Sequence, residues 1–512
     1  MMDRITDAMD DRFVSEKLAA AREYETKNEI AVSDRPLFHV TPAVGWMNDP
    51  NGFSVYAGRV HLFYQYHPYS TVWGPMHWGH QVTKDMIKWE QLPAALAPDT
   101  EYDEDGCFSG TAIEDKGRHI LIYTSVMKNP DGEGVLQNQS IAVGDGTEYT
   151  KIGGNPVVNG DMLPYGLSRK DFRDPKVWQE DGIYYMVAGT VDEDKKGQVV
   201  LFSSQDLVNW SFESVLAKND KDYGGVWECP DFFEIDGHKV LLVSPIEMVA
   251  KGYEFHNGNN SIYFIGDYDD TEKKFEVGEP FSLDYGTDFY APQTTLLPDG
   301  RRVMIAWMQS WHNLWIPQGQ MWQGMMTLPR EISLKDGRLI QRPVREIENY
   351  RSDKVILANE LVSGSCVFDG ISGRFIDMEI AVKGDGYNEF AIDLAKNDRY
   401  YTRFTYDRRK NIIELDRTFA GFERDVVCIR RAEVKPSYSA DSQRGSAEDV
   451  GSIDEQIKLR FILDRNSIEL FVNDGIMTMS TAIYTPVTAT GIEFSCDGKA
   501  AVDIEKYDIK MN

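Results

Sequence analysis

Three short segments of this sequence set a carboxylate at or beside a proline: Asp49-Pro50, Asp174-Pro175 and Glu228-Cys229-Pro230. Gathered into one pocket, such carboxylates are the usual machinery for breaking a glycosidic bond. One must be ionised, to attack or stabilise the anomeric carbon. Another must hold a proton near neutral pH, which crowding by like charges in a dry pocket promotes. A third can grip ring hydroxyls whose contacts tighten in an oxocarbenium-like transition state. Arg173, next to Asp174, can keep that carboxylate ionised. Trp46, Trp73, Phe108, Trp227 and Trp307 are candidates for apolar walls. Each segment alone says little: D-P-N-G is good turn sequence, R-D-P reads as a strand entry with a surface ion pair, and E-C-P is uninformative.

Asp49, Asp174 and Glu228 lie 125 and 54 residues apart, so only the fold can gather them. A repeat supplies the means. Five times a Gly turn leads into an apolar β-run: Gly58 into HLFYQYH, Gly117 into HILIYTS, Gly182 into IYYMVAG, Gly237 into KVLLVSP and Gly300 into RVMIAWM. The spacings are 59, 65, 55 and 63 residues. A second echo is T-K-D-M-I-K-W ending at Trp89 and S-Q-D-L-V-N-W ending at Trp210. Units of this length with several strands point to propeller blades, and five of them to a five-bladed β-propeller. The competing reading is a generic β-sandwich with coincidental turns. A short unusual segment precedes each Gly: Asp49-Pro50, Ser109-Gly110, Asp174-Pro175, Glu228-Cys229-Pro230 and Ala291-Pro292. If these segments begin the innermost strands, rotation about one axis brings all five to the mouth of the central channel.

The rest of the chain frames this unit. With 512 residues, more than one domain is expected. The balance of 54 Lys and Arg against 82 Asp and Glu gives a net charge of −28, which argues against nucleic acid or an anionic membrane as partner. At 42% hydrophobic and 27% charged, the composition is that of a globular protein rather than a disordered one. Residues 5–28 read as one charged amphipathic helix, and residues 1–34 as a helical arm. The β texture starts near Arg35, and every one of the 11 tryptophans falls between Trp46 and Trp322. We therefore expect an all-β chain: a propeller over 35–345 and a β-sandwich over 355–512, the latter containing a polar surface loop over 435–452.

No apolar run approaches a membrane span, and the acidic N-terminus lacks the apolar core of a secretory signal, so a cytoplasmic protein is expected. The five cysteines are scattered and odd in number, as for reduced thiols. His77 and His80, in H-W-G-H, have metal-ligand spacing but no matched third ligand, and read as pocket-wall or structural residues. The acidic turns at 103–106 and 267–272 lack calcium-loop spacing. No phosphate loop or nucleophile elbow is present.

Taken together, these segments resemble glycoside hydrolase family 32, the invertases, sucrose-6-phosphate hydrolases, inulinases and related β-fructofuranosidases. Trp46-Met47-Asn48-Asp49-Pro50-Asn51-Gly52 reproduces the family's first signature, and Leu62-Phe63-Tyr64-Gln65-Tyr66-His67-Pro68 follows it. Phe108-Ser109-Gly110, Arg173-Asp174-Pro175 and Glu228-Cys229-Pro230 complete the set. The resemblance implies a five-bladed propeller followed by a β-sandwich. It implies Asp49 as nucleophile, Glu228 as general acid and then base, and Asp174 as transition-state stabiliser. It places Asn48, Gln65, Trp73, Phe108, Ser109, Arg173, Tyr290 and Trp307 around the fructose subsite, and it requires no metal or cofactor. The opening RPLFHVTPAVGWMNDPNG resembles intracellular members, which implies sucrose, its 6-phosphate or short fructo-oligosaccharides as substrate.

The leading expectation is a retaining β-fructosidase, with the Asp49 and Glu228 carboxyls ~5–5.5 Å apart. A separation of ~7–9 Å would mark an inverting propeller glycosidase of arabinanase or xylosidase type. A third reading is a non-catalytic carbohydrate-binding propeller. Fructosyl transfer would use the same covalent intermediate, and a homodimer is possible.

Overall fold

A computed structural model describes Ile5 and residues 14–130, 132–434, 437–438 and 455–511. Of the helix expected over 5–28, the described part is Glu16–Lys27, with the Ser15 side chain accepting from Leu18 N at its start. The preceding residues 6–13 lie outside the described residues. The helix buries Leu18 and Ala21, and Arg22 binds the Glu148 carboxylate and the Ala94 carbonyl. The polar loop expected over 435–452 is likewise outside the described residues, except that Ser437–Tyr438 forms a short strand paired with Glu455 and Gln456.

Residues 45–343 form the five-bladed propeller. Blade 1 holds strands Gly45–Tyr56, Arg59–His67, His77–Thr83 and Trp89–Leu96. The innermost strands of blades 2 to 5 are Gly106–Asp115, Arg173–Glu180, Trp227–Ile235 and Tyr290–Leu296. The Gly turns of the repeat are the hairpins between first and second strands. Ala57-Gly58, Lys116-Gly117, Asp181-Gly182 and Asp236-Gly237 all have positive φ at both positions, the two-residue hairpin geometry that matches strand twist. The apolar run after each turn is a second strand. It is packed between two neighbouring blades, so both its faces are buried: in Arg118–Lys128 every residue from His119 to Val126 is buried. Separate apolar clusters fill the seams between blades, such as Ile120, Ile122, Phe172, Val177 and Met186 between blades 2 and 3. The ring closes where Trp322–Gln323, arriving from blade 5, pairs in parallel with Gly45 and Trp46.

The expected sandwich is a single eleven-stranded sheet that curls on itself. The strand Gly491–Ile509 runs through both halves. Its first part pairs with Glu389–Lys396, its second with Ile376–Lys383, and its other edge with Arg351–Cys366. The fold class read from the sequence is thus the one observed.

Propeller and curled sheet meet over a dry ionic cluster. Arg330, 1% exposed, donates to Glu469 and Asp284 and to the hydroxyls of Thr478 and Ser480. His39 lies between Asp464 (2.8 Å) and Glu469 (2.9 Å), and the backbone N–H groups of Leu37 and Phe38 donate to Asp464. Arg417 pairs with Asp288 nearby.

Removing one partner from such a cluster strands the others in a dry interior. Arg330→Met should therefore cost about 3–5 kcal/mol in denaturant unfolding. Burial opposes the charge on His39, but the hydrogen bonds and charges of Asp464 and Glu469 outweigh it and raise its pKa to about 9. Because the folded value exceeds the unfolded one, the stabilisation is complete below pH ~6.5 and is lost as pH rises through about 9. Unfolding midpoints between pH 7 and 10 should show this decline in the wild type and not in His39→Gln.

Candidate active site

All five innermost strands carry a β-bulge at the segment singled out in the sequence. Asn48 and Asp49 oppose the single residue Gln65; Asp174 and Pro175 oppose Ala188; Cys229 and Pro230 oppose Val243; Ala291 and Pro292 oppose Ala306; and Ser109 is the extra residue of blade 2. Asp174, Cys229 and Ala291 have φ of 62°, 48° and 53°. This left-handed backbone is costly for residues other than glycine and is held by the surrounding sheet. The proline after each suits a bulge, because it has no N–H to offer the ladder.

The bulges bring the three acids together. Cys229 Sγ lies 3.8 Å from Asp49 Oδ2 and 3.7 Å from Asp174 Oδ2, and its backbone N–H donates to Asp174 Oδ2 (3.0 Å). Asn48 Nδ2 and Ser109 Oγ donate to the two oxygens of Asp49 (3.0 and 2.9 Å). Trp46 Nε1 donates to Asn48 Oδ1 (2.7 Å) and so fixes that amide. The Asp174 N–H is satisfied by Thr124 Oγ1 (2.9 Å). Arg173 donates through Nε and Nη2 to Glu228 Oε1 (3.1 and 2.8 Å). Tyr290 donates to Glu228 Oε2 (2.6 Å), its oxygen lying 3.0 Å from the Ser244 carbonyl.

Three carboxylates crowd here, and Arg173 pairs with two of them, Glu228 and Asp174. Burial, then the charge of Glu228, pushes Asp49 up to about 6, against the hydrogen bonds of Asn48 and Ser109. Burial also raises Asp174, with the charges of Glu228 and Asp49 adding to it and Arg173 opposing. For Arg173 the carboxylates outweigh burial and hold the cation firmly charged. The Cys229 thiol and Tyr290 phenol are pushed well above their ordinary values by burial and the neighbouring acids, so both remain donors. The arrangement can therefore present one carboxylate as a nucleophile while retaining a proton within the cluster.

Of the residues predicted from sequence, Asp49, Asp174, Glu228, Asn48, Ser109, Arg173, Tyr290 and Trp46 form this bonded network. Gln65 sits across the blade 1 bulge and donates to the Cys107 carbonyl. Trp73 and Phe108 meet edge to face at 6.0 Å, with Trp73 47% exposed. Trp307 is fully buried against Trp46 at 5.9 Å, beneath the network rather than open to it.

Trp227 is not a wall. It packs on Phe264 in the seam of blades 3 and 4 and donates to the Tyr223 carbonyl, because its neighbours in the strand alternate to the other face. His77 and His80 are structural: His77 bonds the Pro75 carbonyl, and His80 stacks on Phe63. Among the described residues no group of three His, Cys, Asp or Glu is placed to hold a metal ion. Sequence reasoning missed Thr124 and Trp311; Trp311 stacks on Trp46 at 5.9 Å and 27°.

Comparisons with known proteins agree over both the propeller and the C-terminal sheet. The family model for the glycosyl hydrolases family 32 N-terminal domain matches residues 39–343, and that for the family 32 C terminal matches 344–510. A sucrose-6-phosphate hydrolase of Escherichia coli is 36% identical over 457 residues, covering 88% of this chain and 89% of its own. A raffinose invertase of Escherichia coli is 37% identical over 456 residues, with the same coverages. Among solved structures, a Bombyx mori GH32 β-fructofuranosidase aligns with a TM-score of 0.81 and 32% identity, covering 96% of this chain and 98% of that one.

The raised Asp49 carries a stability consequence. Its folded value, about 6, exceeds the unfolded one near 3.8, so its contribution is fully favourable below pH ~3.8 and is lost as pH rises through about 6. Asp49→Asn removes the buried charge while keeping the shape. At pH 7.5 it should unfold on the order of 2 kcal/mol later than the wild type, with the gap closing toward pH 4. Paired melts across that range check it.

Proposed function

The chain belongs to glycosyl hydrolase family 32 and is a β-fructofuranosidase, and from that premise we propose that it acts with retention through a covalent fructosyl-enzyme. Its substrates in this reading are sucrose, sucrose-6-phosphate and short fructo-oligosaccharides, cleaved at the terminal β-D-fructofuranosyl bond. The observation that carries the assignment is the convergence of Asp49, Asp174 and Glu228 around Cys229.

In this mechanism an Asp49 oxygen attacks the anomeric carbon of the fructosyl unit. Asn48 and Ser109 aim that carboxylate. As the C–O bond to the leaving sugar breaks, the proton held in the acid cluster passes from Glu228 to the departing oxygen. Tyr290 and Arg173 fix both Glu228 oxygens and so its direction of delivery. Esterification removes the Asp49 charge. Glu228, now a carboxylate, takes a proton from water, whose oxygen displaces Asp49 and releases fructose. Asp174, held by the Cys229 N–H, accepts from fructose hydroxyls as the ring flattens. In this reading Gln65, Trp73 and Phe108 complete the subsite, and the buried Trp46 and Trp307 back it from beneath. The inverting and binding-only readings are not favoured by a family of retaining hydrolases.

We also propose the division into an arm over 1–34, the catalytic propeller over 35–345 and a supporting sheet over 355–512. In support, the last blade strand ends at Pro343 and the curled sheet begins at Arg351. A cytoplasmic site of action is supported by five free cysteines. No helix among the described residues is long and apolar enough to cross a membrane. A homodimer formed through the curled sheet is part of the same proposal.

Sucrose, sucrose-6-phosphate, kestose and inulin should be assayed side by side for released fructose. Turnover is expected on the first two and least on inulin. Product NMR taken before mutarotation should find the β-anomer of fructose first; the α-anomer would contradict retention. Glu228→Gln should lower kcat on sucrose by ~10²–10⁴-fold.

A further inference from the structure

Two elements leave blades 4 and 5 at the end of the channel where the acids gather. Strand His238–Pro245 ends with Ser244 and Pro245 opposite Glu228 and Trp227. The chain then runs on as a short two-stranded extension, bridged at Met248–Gly258 and Lys251–Phe255. Strand Arg302–Trp307 ends opposite Tyr290, and the 3-10 turn Trp311–Asn313 follows it. The two elements touch. Gly258 has φ of 100°, and a Cβ there would fall 2.3 Å from His312 Nε2, so the imidazole lies directly on the glycine. The curled sheet supplies a third side: the Val427 N–H donates to Asn313 Oδ1 (2.9 Å), and strand Ile429–Glu433 follows.

These three elements enclose a cavity of about 400 Å³. Its basic side chains are His256 from the extension, His312 from the turn, and Arg430 and Arg431 from the sheet. Its acids are already engaged. Glu254 accepts from the Ser282 N–H (2.7 Å) and the Tyr285 hydroxyl (2.8 Å). Asp284 accepts from Arg330, Ser480 and the Gly286 N–H. Arg431 pairs with Glu414.

Arg430 is different. It has no carboxylate partner among the described residues, and its buried Nε has no hydrogen-bond partner. The charges that bear on it, Arg417 and Asp288, are paired with each other. Burial, then the Arg417 cation, lowers its pKa to about 10. Burial, then Arg430, lowers His256 to about 4. That imidazole is therefore neutral, and its Nδ1–H donates to the Asn257 carbonyl (3.0 Å), which leaves Nε2 as the nitrogen able to take a proton. An oxyanion here would meet an unpaired guanidinium in fork geometry and favour protonation of His256.

We propose that this cavity is a phosphate site, with Arg430 as its anchor and His256 and His312 as its imidazole donors. Two sources carry that chemistry, the phosphate of a phosphorylated sugar substrate and free inorganic phosphate. Only the first rests on the β-fructofuranosidase reading.

Sulfate, whose charge is constant across the neutral range, is the first probe. It should raise the melting temperature of the wild type saturably, and more at about pH 6 than at about pH 8, because binding draws a proton onto His256. Arg430→Gln should abolish the saturable shift, and His312→Gln, at an exposed position, should weaken sulfate affinity fivefold or more. An equal shift with chloride at matched ionic strength, or one that survives both substitutions, would overturn the site. Kinetics separate the sources. If substrate phosphate binds here, Arg430→Gln should lower the ratio of kcat/KM on sucrose-6-phosphate to that on sucrose tenfold or more, chiefly through KM, with Arg430→Lys restoring part of it. If free phosphate is the ligand, that ratio should hold while inorganic phosphate, like sulfate, no longer shifts the melt of Arg430→Gln. Failure of the catalytic reading would appear separately, as a wild type that releases fructose from neither sugar yet still binds sulfate.

Discussion

One extra residue near the start of each innermost strand is the constraint from which the site follows. In an unbroken strand, side chains alternate strictly between faces, and consecutive residues cannot serve one point. The bulges at Asp49, Ser109, Asp174, Cys229 and Ala291 break that alternation five times at the same height of the channel. Rotation about the propeller axis then makes neighbours of residues far apart in sequence. The left-handed backbone at Asp174 and Cys229 is the local cost of this placement. It is tolerated because these bulges are clamped by bonds from the preceding blade, such as Asp174 N–H to Thr124 and Cys229 N–H to Asp174.

The same crowding makes the site unfavourable in isolation. Three carboxylates and one guanidinium crowd a largely enclosed space, and both aspartates are pushed toward protonation. Stability must come from elsewhere in the fold, and the candidates are visible. Apolar seams between blades bury whole second strands, and Trp46, which holds Asn48, is packed against Trp307 and Trp311. Charge is treated oppositely in the two buried clusters. Around Arg330 cations and anions alternate, so Asp464 and Glu469 are held below their ordinary values. Around Cys229 they do not, and burial together with the excess negative charge raises both Asp49 and Asp174.

Much of this was legible because chemistry and topology were written in the same local segments. Each Gly turn is a hairpin with positive φ, which glycine adopts at no steric cost, and the turns mark the first hairpin of each blade in order. The prolines mark bulges, where a missing N–H does no harm. Trp227 misled because adjacency in sequence to Glu228 was read as adjacency in space, whereas strand alternation sends it into the seam. Trp311 carried no signal: nothing within its own segment connects it to Trp46, some 265 residues earlier. The curling of the last sheet was hidden for a similar reason. It depends on one nineteen-residue strand serving two sets of partners, which is a property of pairing rather than of composition.

The C-terminal sheet therefore holds more than its own core. Its cluster grips His39, seven residues before Trp46, so it anchors the approach to the strand that carries Asp49. It grips Arg330 and the Leu328 N–H, just after the ring closes at Trp322–Gln323. It grips Asn313, Leu314 and Trp315, on the segment that leaves blade 5, through Val427, Arg424 and Phe422. The Asp49 strand, that segment and the ring closure thus share one support. Dry, charge-paired contacts of this kind have few alternative arrangements, because any shift leaves an ion without its partner.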